Sequence, residues 1–168
     1  QIVGMLAAAW EGRQRLDTCA APGGKTVALA DGVAGAGRAL TVAGDRRPRR
    51  LRLLRETLAR AGYGDVPLLQ LDVAHALPFG PVFDLVLVDA PCSGLGTIRR
   101  EPDLKWRRAP EDLPRMAEVQ QRMLAVAARV VAPGGAGAPV GDAALARRFL
   151  QRAVQGAPDA AALHSRVH

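Results

Sequence analysis

The stretch RQRLDTCAAPGGKTVALADGV, residues 13–33, decides how this chain folds. Its first six residues, Arg13–Thr18, are typical of a short strand that ends in a turn. CAAPGG is typical of a tight turn because it consists of small residues, Pro and Gly. KTVALADGV then continues as a helix. The stretch therefore predicts a strand, a glycine loop and a helix in direct succession.

Strands and helices keep alternating downstream. GRALTVAG (37–44) predicts a second strand, and PRRLRLLRETLARAG (48–62) predicts an amphipathic helix with Pro near its start and Gly at its end. DVPLLQLDV (65–73) and VFDLVLVDA (82–90) are largely apolar, like strands of a parallel sheet that is covered on both faces. PRMAEVQQRMLAVAARVVAPGG (114–135) predicts a helix that stops at Pro133-Gly134-Gly135 and whose Met residues belong to the core.

This alternation predicts an α/β fold with a doubly wound, mostly parallel sheet. The whole chain, residues 1–168, is predicted to form a single domain, because its length leaves no room for a second one. In such folds ligands lie outside the carboxyl ends of the strands. We expect one crevice there, lined by the residues that follow the four predicted strands: Cys19–Lys25, Asp45, Asp72 and Asp89–Cys92.

Composition restricts the class of protein. With 49% hydrophobic residues among 168, the chain can build a proper core, and no apolar run is long enough to span a bilayer. The first ten residues lack a secretion signal, so we expect a cytoplasmic protein, and Gln1 in place of Met suggests a piece of a longer chain. The two cysteines and three histidines fit neither a disulfide framework nor a metal site.

The glycine loop CAAPGGKT can be interpreted in several ways. It lacks the first Gly of a P-loop, and the dinucleotide fingerprint G-x-G-x-x-G is absent, which argues against a nucleotide hydrolase. A plain strand-to-helix turn remains possible, as does a loop whose small residues let a ligand approach the backbone closely. Asp45 and Asp72 at the next strand ends favour a nucleoside-containing cofactor, since an acid after the second strand is placed to bind ribose hydroxyls.

Three longer motifs carry a family resemblance: DTCAAPGGKT, DAPCSGLGTIRREPDLKW and RMAEVQQRML. Together they resemble the RNA 5-methylcytosine methyltransferases of the Sun/Fmu (RsmB-like) family, over roughly residues 16–135. The resemblance implies a Rossmann-like class I fold with S-adenosylmethionine as methyl donor. It also implies where the donor binds. The glycine loop would surround the methionine part, Asp45 would bind the ribose, Asp72 would lie near the adenine, and Asp89 would lie at the junction with the target base. The donor-binding residues implied in this way are Cys19, Ala20, Ala21, Pro22, Gly23, Gly24, Lys25, Asp45, Asp72 and Asp89.

The resemblance also implies roles in the reaction. In this family a thiolate adds to C6 of cytosine, and C5 then takes the methyl group. Asp89 is expected to bind the N3/N4 edge of the base, with Lys25 as electrostatic support. Cys92 is expected to help product release, because the family uses a different cysteine, in a Thr-Cys-Ser motif, as nucleophile. Cys19 is expected to line the site without a catalytic role, although a buried structural thiol is an alternative for both cysteines.

The sequence departs from the family after Gly135. A strand leading to Thr-Cys-Ser is expected there, but the chain reads AGAPVGDAALARRFLQRAV, so about a dozen residues and the nucleophile are missing. Two explanations compete: a degenerate, noncatalytic paralogue, or a segment that the protein has and this sequence omits. The second is favoured, because loss of a core strand would expose the flank of the fourth strand. The final hairpin of the family also finds no match in residues 156–168.

The resemblance implies an RNA partner, with ribosomal RNA favoured over transfer RNA, and the basic residues are compatible with such a partner. A net charge of +7 makes a polyanion plausible, although an Arg-rich composition weakens that argument. Five cationic residues follow the Asp89–Cys92 motif and are expected to hold RNA phosphates: Arg99, Arg100, Lys105, Arg107 and Arg108. The alternative is a solvated loop paired with nearby acids. For the second cluster, Arg46–Arg60, a solvated helix face is the preferred interpretation. A noncatalytic RNA-binding module and a small-molecule methyltransferase are the remaining rivals.

Overall fold

The computed structural model describes residues 12–32, 40–90 and 112–140. They form five strands and three helices in alternating order. The strands are β1 (Gln14–Asp17), β2 (Leu40–Asp45), β3 (Leu68–Gln70), β4 (Phe83–Asp89) and β5 (Val131–Val140), and the helices are α1 (Gly24–Asp31), α2 (Pro48–Arg60) and α3 (Asp112–Ala128). No helix in these three ranges is long and apolar enough to cross a membrane.

The strands form one parallel sheet in the order β3-β2-β1-β4-β5. The order turns back at β1, the first strand of the chain, so the chain is wound outward in both directions from the centre. The predicted doubly wound parallel sheet is therefore confirmed. At such a reversal the connections after neighbouring strands diverge, which leaves a crevice at the carboxyl ends of β1, β2 and β4.

Two apolar layers hold the helices on opposite faces of the sheet. Leu16, Val86 and Val88 face α3, where Met123 and Ala127 are buried against them. The other face carries Ala43, which packs on Leu54 and Leu58 of α2. The prediction that the methionines belong to the core is confirmed for Met123, which is 5% exposed.

The last helix and strand differ from the prediction. The helix ends at Ala128 instead of continuing to Pro133-Gly134-Gly135, because Arg129 and Val130 donate to the carbonyls three residues back in a closing turn. Val131 already pairs with Phe83, and Ala136 pairs with Leu85, so residues 132–135 bulge opposite Asp84. Pro133-Gly134-Gly135 therefore forms a bulge in a strand and does not end the helix.

β5 tests the expectation that a strand after Gly135 is missing from the sequence. Ala136–Val140 pair with Leu85–Asp89 as the fifth strand, so the flank of β4 is covered. The argument that a strand must have been omitted because β4 would be exposed is therefore wrong. The sequence still lacks Thr-Cys-Ser, and the residues after Val140 lie outside those that the structure describes.

Candidate active site at the carboxyl ends of the strands

The loop after β1 is fixed to both neighbouring strands. Thr18 donates through its backbone N–H and its hydroxyl to the Leu87 carbonyl of β4, at 3.0 and 2.9 Å. On the other side, the Ala20 N–H donates to the Gly44 carbonyl of β2 at 2.8 Å. These hydrogen bonds hold the loop between β2 and β4 and place the residues after Ala20 at the carboxyl edge of the sheet.

Gly23 makes the turn from this loop into α1. Its φ of 118° lies in the left-handed region that glycine adopts without strain. A Cβ at this position would lie 3.1 Å from side-chain atoms of Leu54 and Thr57. Gly23 is thus required for the turn and for the contact with α2. Gly23 is buried against that helix and is not among the wall residues of the two hollows described below, and its expected role in donor binding stays a prediction.

A large hollow of about 550 Å³ opens beside this loop. Its walls include residues from the ends of four strands, Cys19, Asp45, Asp72 and Asp89, together with apolar side chains of α3. The expected convergence of these strand ends on one crevice is therefore observed. Val119 of α3 was not predicted as a site residue, but it lines the hollow and remains 39% exposed.

Asp45 carries a buried oxygen that no hydrogen bond satisfies. Its Oδ1 accepts from the Arg47 N–H at 3.0 Å. Its Oδ2 is buried without a hydrogen-bond partner among the described residues, although Arg50 Nε lies 3.4 Å away as an ion pair. Buried carboxylate oxygens without partners are costly, so this one is suited to accept a hydrogen bond from a ligand.

Asp72 lies at the rim of the same hollow. Its Oδ1 accepts from the Ala74 N–H at 3.0 Å, which holds the turn after β3. Its Oδ2 faces His75 Nδ1 at 3.3 Å and Arg46 at 3.9 Å. Both of these partners are largely exposed side chains that can move aside. The Asp72 carboxylate is therefore oriented by its backbone contact and remains accessible to a ligand.

A small hollow of about 220 Å³ adjoins the large one. Its walls come from the glycine loop and the start of α1, and they include Ala20, Ala21, Pro22, Gly24 and Lys25. A Cβ at Gly24 would meet no atom within 4 Å, so any larger residue there would project into open space. Five of the seven predicted loop residues thus line the small hollow, and Cys19 lines the large one.

Asp89 lines both hollows. It is the last residue of β4, and its Oδ2 accepts a charge-assisted hydrogen bond from Lys25 Nζ at 2.7 Å. The two side chains are about one-third exposed, so both can still contact a ligand. The structure therefore joins two predicted catalytic residues, Lys25 and Asp89, in one ion pair at the boundary between the hollows.

A second acid, Asp17, lies beneath this pair and was missed by the sequence analysis. It is fully buried, and its Oδ2 accepts from the Thr26 hydroxyl at 2.8 Å, while Oδ1 has no hydrogen-bond partner within the described ranges. Burial raises its pKa to about 7, and the nearby charge of Asp89 acts in the same direction. A polar residue at the end of the central strand, followed by Thr in the next helix, was the available signal.

Cys19 has the environment of an unreactive thiol. Burial raises its pKa to about 12, and the surrounding carboxylates of Asp17, Asp45 and Asp89 add to that effect. A thiol with such a pKa is almost wholly protonated near neutral pH and is a poor nucleophile. This agrees with the expectation that Cys19 lines the site without attacking a substrate.

The remaining predicted site residues lie outside the described residues. They are Cys92, expected to assist product release, and the five cations expected to bind RNA, Arg99, Arg100, Lys105, Arg107 and Arg108. Their roles stay predictions.

Comparison with known proteins gives the family. A family model described as 16S rRNA methyltransferase RsmB/F matches residues 5–137. Ribosomal RNA small subunit methyltransferase B of Sodalis glossinidius is 40% identical over 121 residues, which cover 71% of this chain and 27% of that protein. The protein of the same name from Pseudomonas putida is 42% identical over 115 residues, covering 67% of this chain and 26% of its own. The chain spans about a quarter of the length of these relatives.

Solved structures agree with this result. The crystal structure of PH0851 superimposes with a TM-score of 0.76 at 31% identity, covering 90% of this chain and 36% of that one. NSun6 from Pyrococcus horikoshii, solved with SFG, gives a TM-score of 0.71 at 25% identity, with 90% and 40% covered. The expected Rossmann-like class I fold and the resemblance to RsmB-like proteins are both confirmed. The chain belongs to the RsmB/F family of 16S rRNA methyltransferases.

Proposed function

We propose that this chain transfers a methyl group from S-adenosylmethionine to C5 of a cytosine in ribosomal RNA. The observation that carries the proposal is the position of Asp89, which lines a large and a small hollow at once and is held there by Lys25. A transferase needs a donor and an acceptor on either side of one reacting centre. The large hollow is the site of the donor's nucleoside in this proposal. The small hollow is where the methionine end of the donor, which the resemblance places at the glycine loop, meets the target base.

The large hollow fits the donor in size and chemistry. Its volume of about 550 Å³ lies within the usual range of small-molecule sites. The unsatisfied Asp45 Oδ2 accepts a ribose hydroxyl, since an acid at the end of the second strand is the usual ribose ligand in doubly wound folds. NSun6 from Pyrococcus horikoshii was solved with SFG, an analogue of S-adenosylmethionine, which supports the same ligand here.

The adenine end of the donor is assigned to the rim near Asp72. The Asp72 carboxylate can accept from an exocyclic amino group, and Leu71, Val119 and Met123 supply apolar wall beside it. A flat heterocycle suits such a site because it offers apolar faces and a polar edge. Asp45 and Asp72 thereby bind two ends of one nucleoside.

The target base is assigned to the small hollow. Asp89 accepts from the N4 amino group of cytosine and so favours cytosine over uracil, which has no amino group there. The Lys25 ammonium, 2.7 Å from Asp89, offsets negative charge that develops on the ring after attack at C6. The small residues Ala20, Ala21 and Gly24 leave the space that a flat base needs.

The reaction needs a thiolate that adds to C6, makes C5 nucleophilic, and is eliminated after C5 has lost its proton. When bound, S-adenosylmethionine supplies an activated methyl group to C5. Cys19 is unsuited to the attack, because its pKa is raised to about 12 by burial. Cys92 is proposed to assist elimination. The Thr-Cys-Ser nucleophile of the family is absent from the sequence, so the proposal requires that the segment which carries it is one that the protein has and this sequence omits.

The acceptor RNA is proposed to be ribosomal. The named relatives of Sodalis glossinidius and Pseudomonas putida are ribosomal RNA methyltransferases, which favours ribosomal over transfer RNA. Arg99, Arg100, Lys105, Arg107 and Arg108 are proposed to hold phosphates while one cytosine is turned into the small hollow.

A second candidate is a degenerate module that binds S-adenosylmethionine and RNA but transfers nothing. The observation that favours it is the absence of Thr-Cys-Ser, for which Cys19 is no substitute because burial raises its pKa to about 12. This module would retain the donor hollow and the basic residues, so binding assays alone do not separate the two candidates.

The deciding experiment is transfer of isotope from methyl-labelled S-adenosylmethionine to ribosomal RNA by the full-length protein. Label that bisulfite sequencing then locates at C5 of one cytosine supports the enzyme. Donor binding at the expected hollow without transfer supports the degenerate module. Transfer to a small molecule instead of RNA would contradict both. In cells, loss of bisulfite protection at one site upon gene deletion would identify the cytosine.

A further inference from the structure

Helix α2 and the two residues before it carry an unusual concentration of arginine. The segment DRRPRRLRLLRETLAR contains seven arginines after Asp45 and a single acid, Glu56. All seven are exposed: Arg46, Arg47, Arg49, Arg50, Arg52, Arg55 and Arg60. The sequence favoured a solvated face for this cluster, and exposure alone fits that interpretation. Its position beside the large hollow and the ion pairs of its arginines indicate that it also binds a ligand.

The cluster begins at the large hollow and leads away from it. α2 starts three residues after Asp45, and Arg46, Arg47 and Arg50 line the hollow itself. Arg49, Arg52 and Arg60 lie on the side of α2 away from Leu54 and Leu58, the two leucines buried on the sheet, and Arg55 lies on the flank of the helix. From Arg49 to Arg60 the helix extends about 16 Å along its axis. We call these four residues the α2 arginine face.

Within residues 12–32, 40–90 and 112–140, no ion pair neutralises this face. Arg50 is engaged by Asp45, and Arg46 lies near Asp72, so both contribute to the hollow. In the described part of the chain, no carboxylate lies within ion-pair distance of the α2 arginine face. Glu56, which is on the same helix, does not pair with these arginines either. Arginines at i, i+3 spacing, such as Arg49, Arg52 and Arg55, repel one another on a helix. A polyanion would relieve that repulsion.

We propose that the α2 arginine face binds phosphates of the RNA substrate at a distance from the target nucleotide. That the polyanion is RNA rests on the proposed function. Guanidinium groups are well suited to phosphate, and a row about 16 Å long spans several nucleotides of a single strand. The face is proposed in addition to the five cations that follow Cys92 in the sequence.

The test measures binding of a fluorescent single-stranded ribosomal RNA fragment to the 168-residue chain at several salt concentrations. The variant Arg49→Gln/Arg52→Gln removes two charges from the α2 arginine face. The control Arg13→Gln/Arg129→Gln removes two equally exposed charges at the amino ends of β1 and β5, away from both hollows. Binding of S-adenosylmethionine is measured on all three proteins.

The α2 variant is expected to bind RNA about tenfold more weakly at 0.1 M salt, and its slope of log affinity against log salt is expected to fall by about 1.4. The control is expected to stay within about twofold. Equal losses in the two variants would show that only net charge matters and would overturn the proposal, as would unchanged binding in the α2 variant or no RNA binding by the unaltered chain. Failure of S-adenosylmethionine binding with the α2 effect intact would refute the proposed function and leave the arginine face standing.

Discussion

Two aspartates on the same strand, Asp84 and Asp89, show how the two edges of this sheet differ. At the amino end of β4, Asp84 Oδ2 accepts hydrogen bonds from the backbone N–H groups of Arg13 and Gln14 at 2.7 and 2.9 Å. At the carboxyl end, Asp89 meets a side chain, Lys25, and faces two hollows. The partners of Asp84 are backbone groups held in place by the sheet, whereas the partner of Asp89 is the flexible side chain of Lys25.

The difference teaches how to tell a structural acid from a functional one in this fold. Asp84, whose Oδ2 accepts two backbone N–H groups and which borders neither hollow, fixes the start of β1. At the other edge Asp45 has an oxygen without a hydrogen bond, and Asp89 borders open space. The predictions below test whether this division between the two edges holds.

The largest effect is expected at Asp89. Asp89→Asn keeps the shape of the side chain but removes the charge that pairs with Lys25 and positions the base, so methyl transfer should fall by roughly 10²- to 10³-fold. The measurement is isotope transfer to ribosomal RNA under single-turnover conditions, with unfolding followed in parallel. The melting temperature should change little, because the Lys25–Asp89 pair is partly exposed.

The matched control is Asp84→Asn at the other end of β4. It weakens two backbone hydrogen bonds, so it should lower the free energy of unfolding by about 1 kcal/mol and leave methyl transfer unaffected in folded protein. If Asp84→Asn abolished transfer while Asp89→Asn did not, the division between the edges would be wrong.

The next effect concerns Asp17 and pH. In the folded chain its pKa is about 7, against 3.8 for the ordinary carboxyl, so between about pH 4 and 7 the folded state holds a proton that the unfolded state has lost. The free energy of unfolding should therefore decrease, by up to about 4 kcal/mol, as pH rises through this window.

Asp17→Asn should remove that component, because the amide does not titrate and still offers an oxygen to Thr26. Urea unfolding of both proteins at several pH values measures the difference. A parallel decline in the two proteins would mean that other groups are responsible and that Asp17 is already ionised beneath the site.

The smallest effect is expected at Asp45. Asp45→Asn should weaken binding of S-adenosylmethionine by about tenfold, since one oxygen remains to accept a ribose hydroxyl but the charge is lost. Calorimetric titration measures the dissociation constant, and Asp31→Asn, an exposed acid at the end of α1, serves as the control. If the Asp45 variant and the unaltered chain bound S-adenosylmethionine with equal affinity, the buried oxygen of Asp45 would be excluded as a contact to the methyl donor.

The sequence was sufficient for the sheet and for most strand ends. Apolar runs such as FDLVLVD specify buried strands, and each ends at a polar residue because the chain must leave the sheet there. Parallel pairing then brings Asp45, Asp72 and Asp89 to one edge whatever the details of packing. The location of the site could therefore be predicted from residue order alone.

Features set by tertiary packing could not be predicted in this way. Gly23 contacts α2 because the loop turns at a positive φ, and Val119 reaches the hollow because of how α3 lies on the sheet. Pro133-Gly134-Gly135 is an ordinary helix stop signal by sequence, but pairing with β4 draws it into a strand as a bulge. Arg15 is 2% exposed and donates to the Leu29 carbonyl, a burial that residue type argues against.

The central claim is that the carboxyl edge of the sheet holds the methyl donor. Its most direct test is titration of the isotopically labelled chain with S-adenosylmethionine, followed through the backbone amide resonances. We predict saturable shifts at Cys19, Asp45, Asp72 and Asp89, with none at Gln14 or Asp84. Shifts centred on Asp84, or no shift at millimolar donor, would contradict the account.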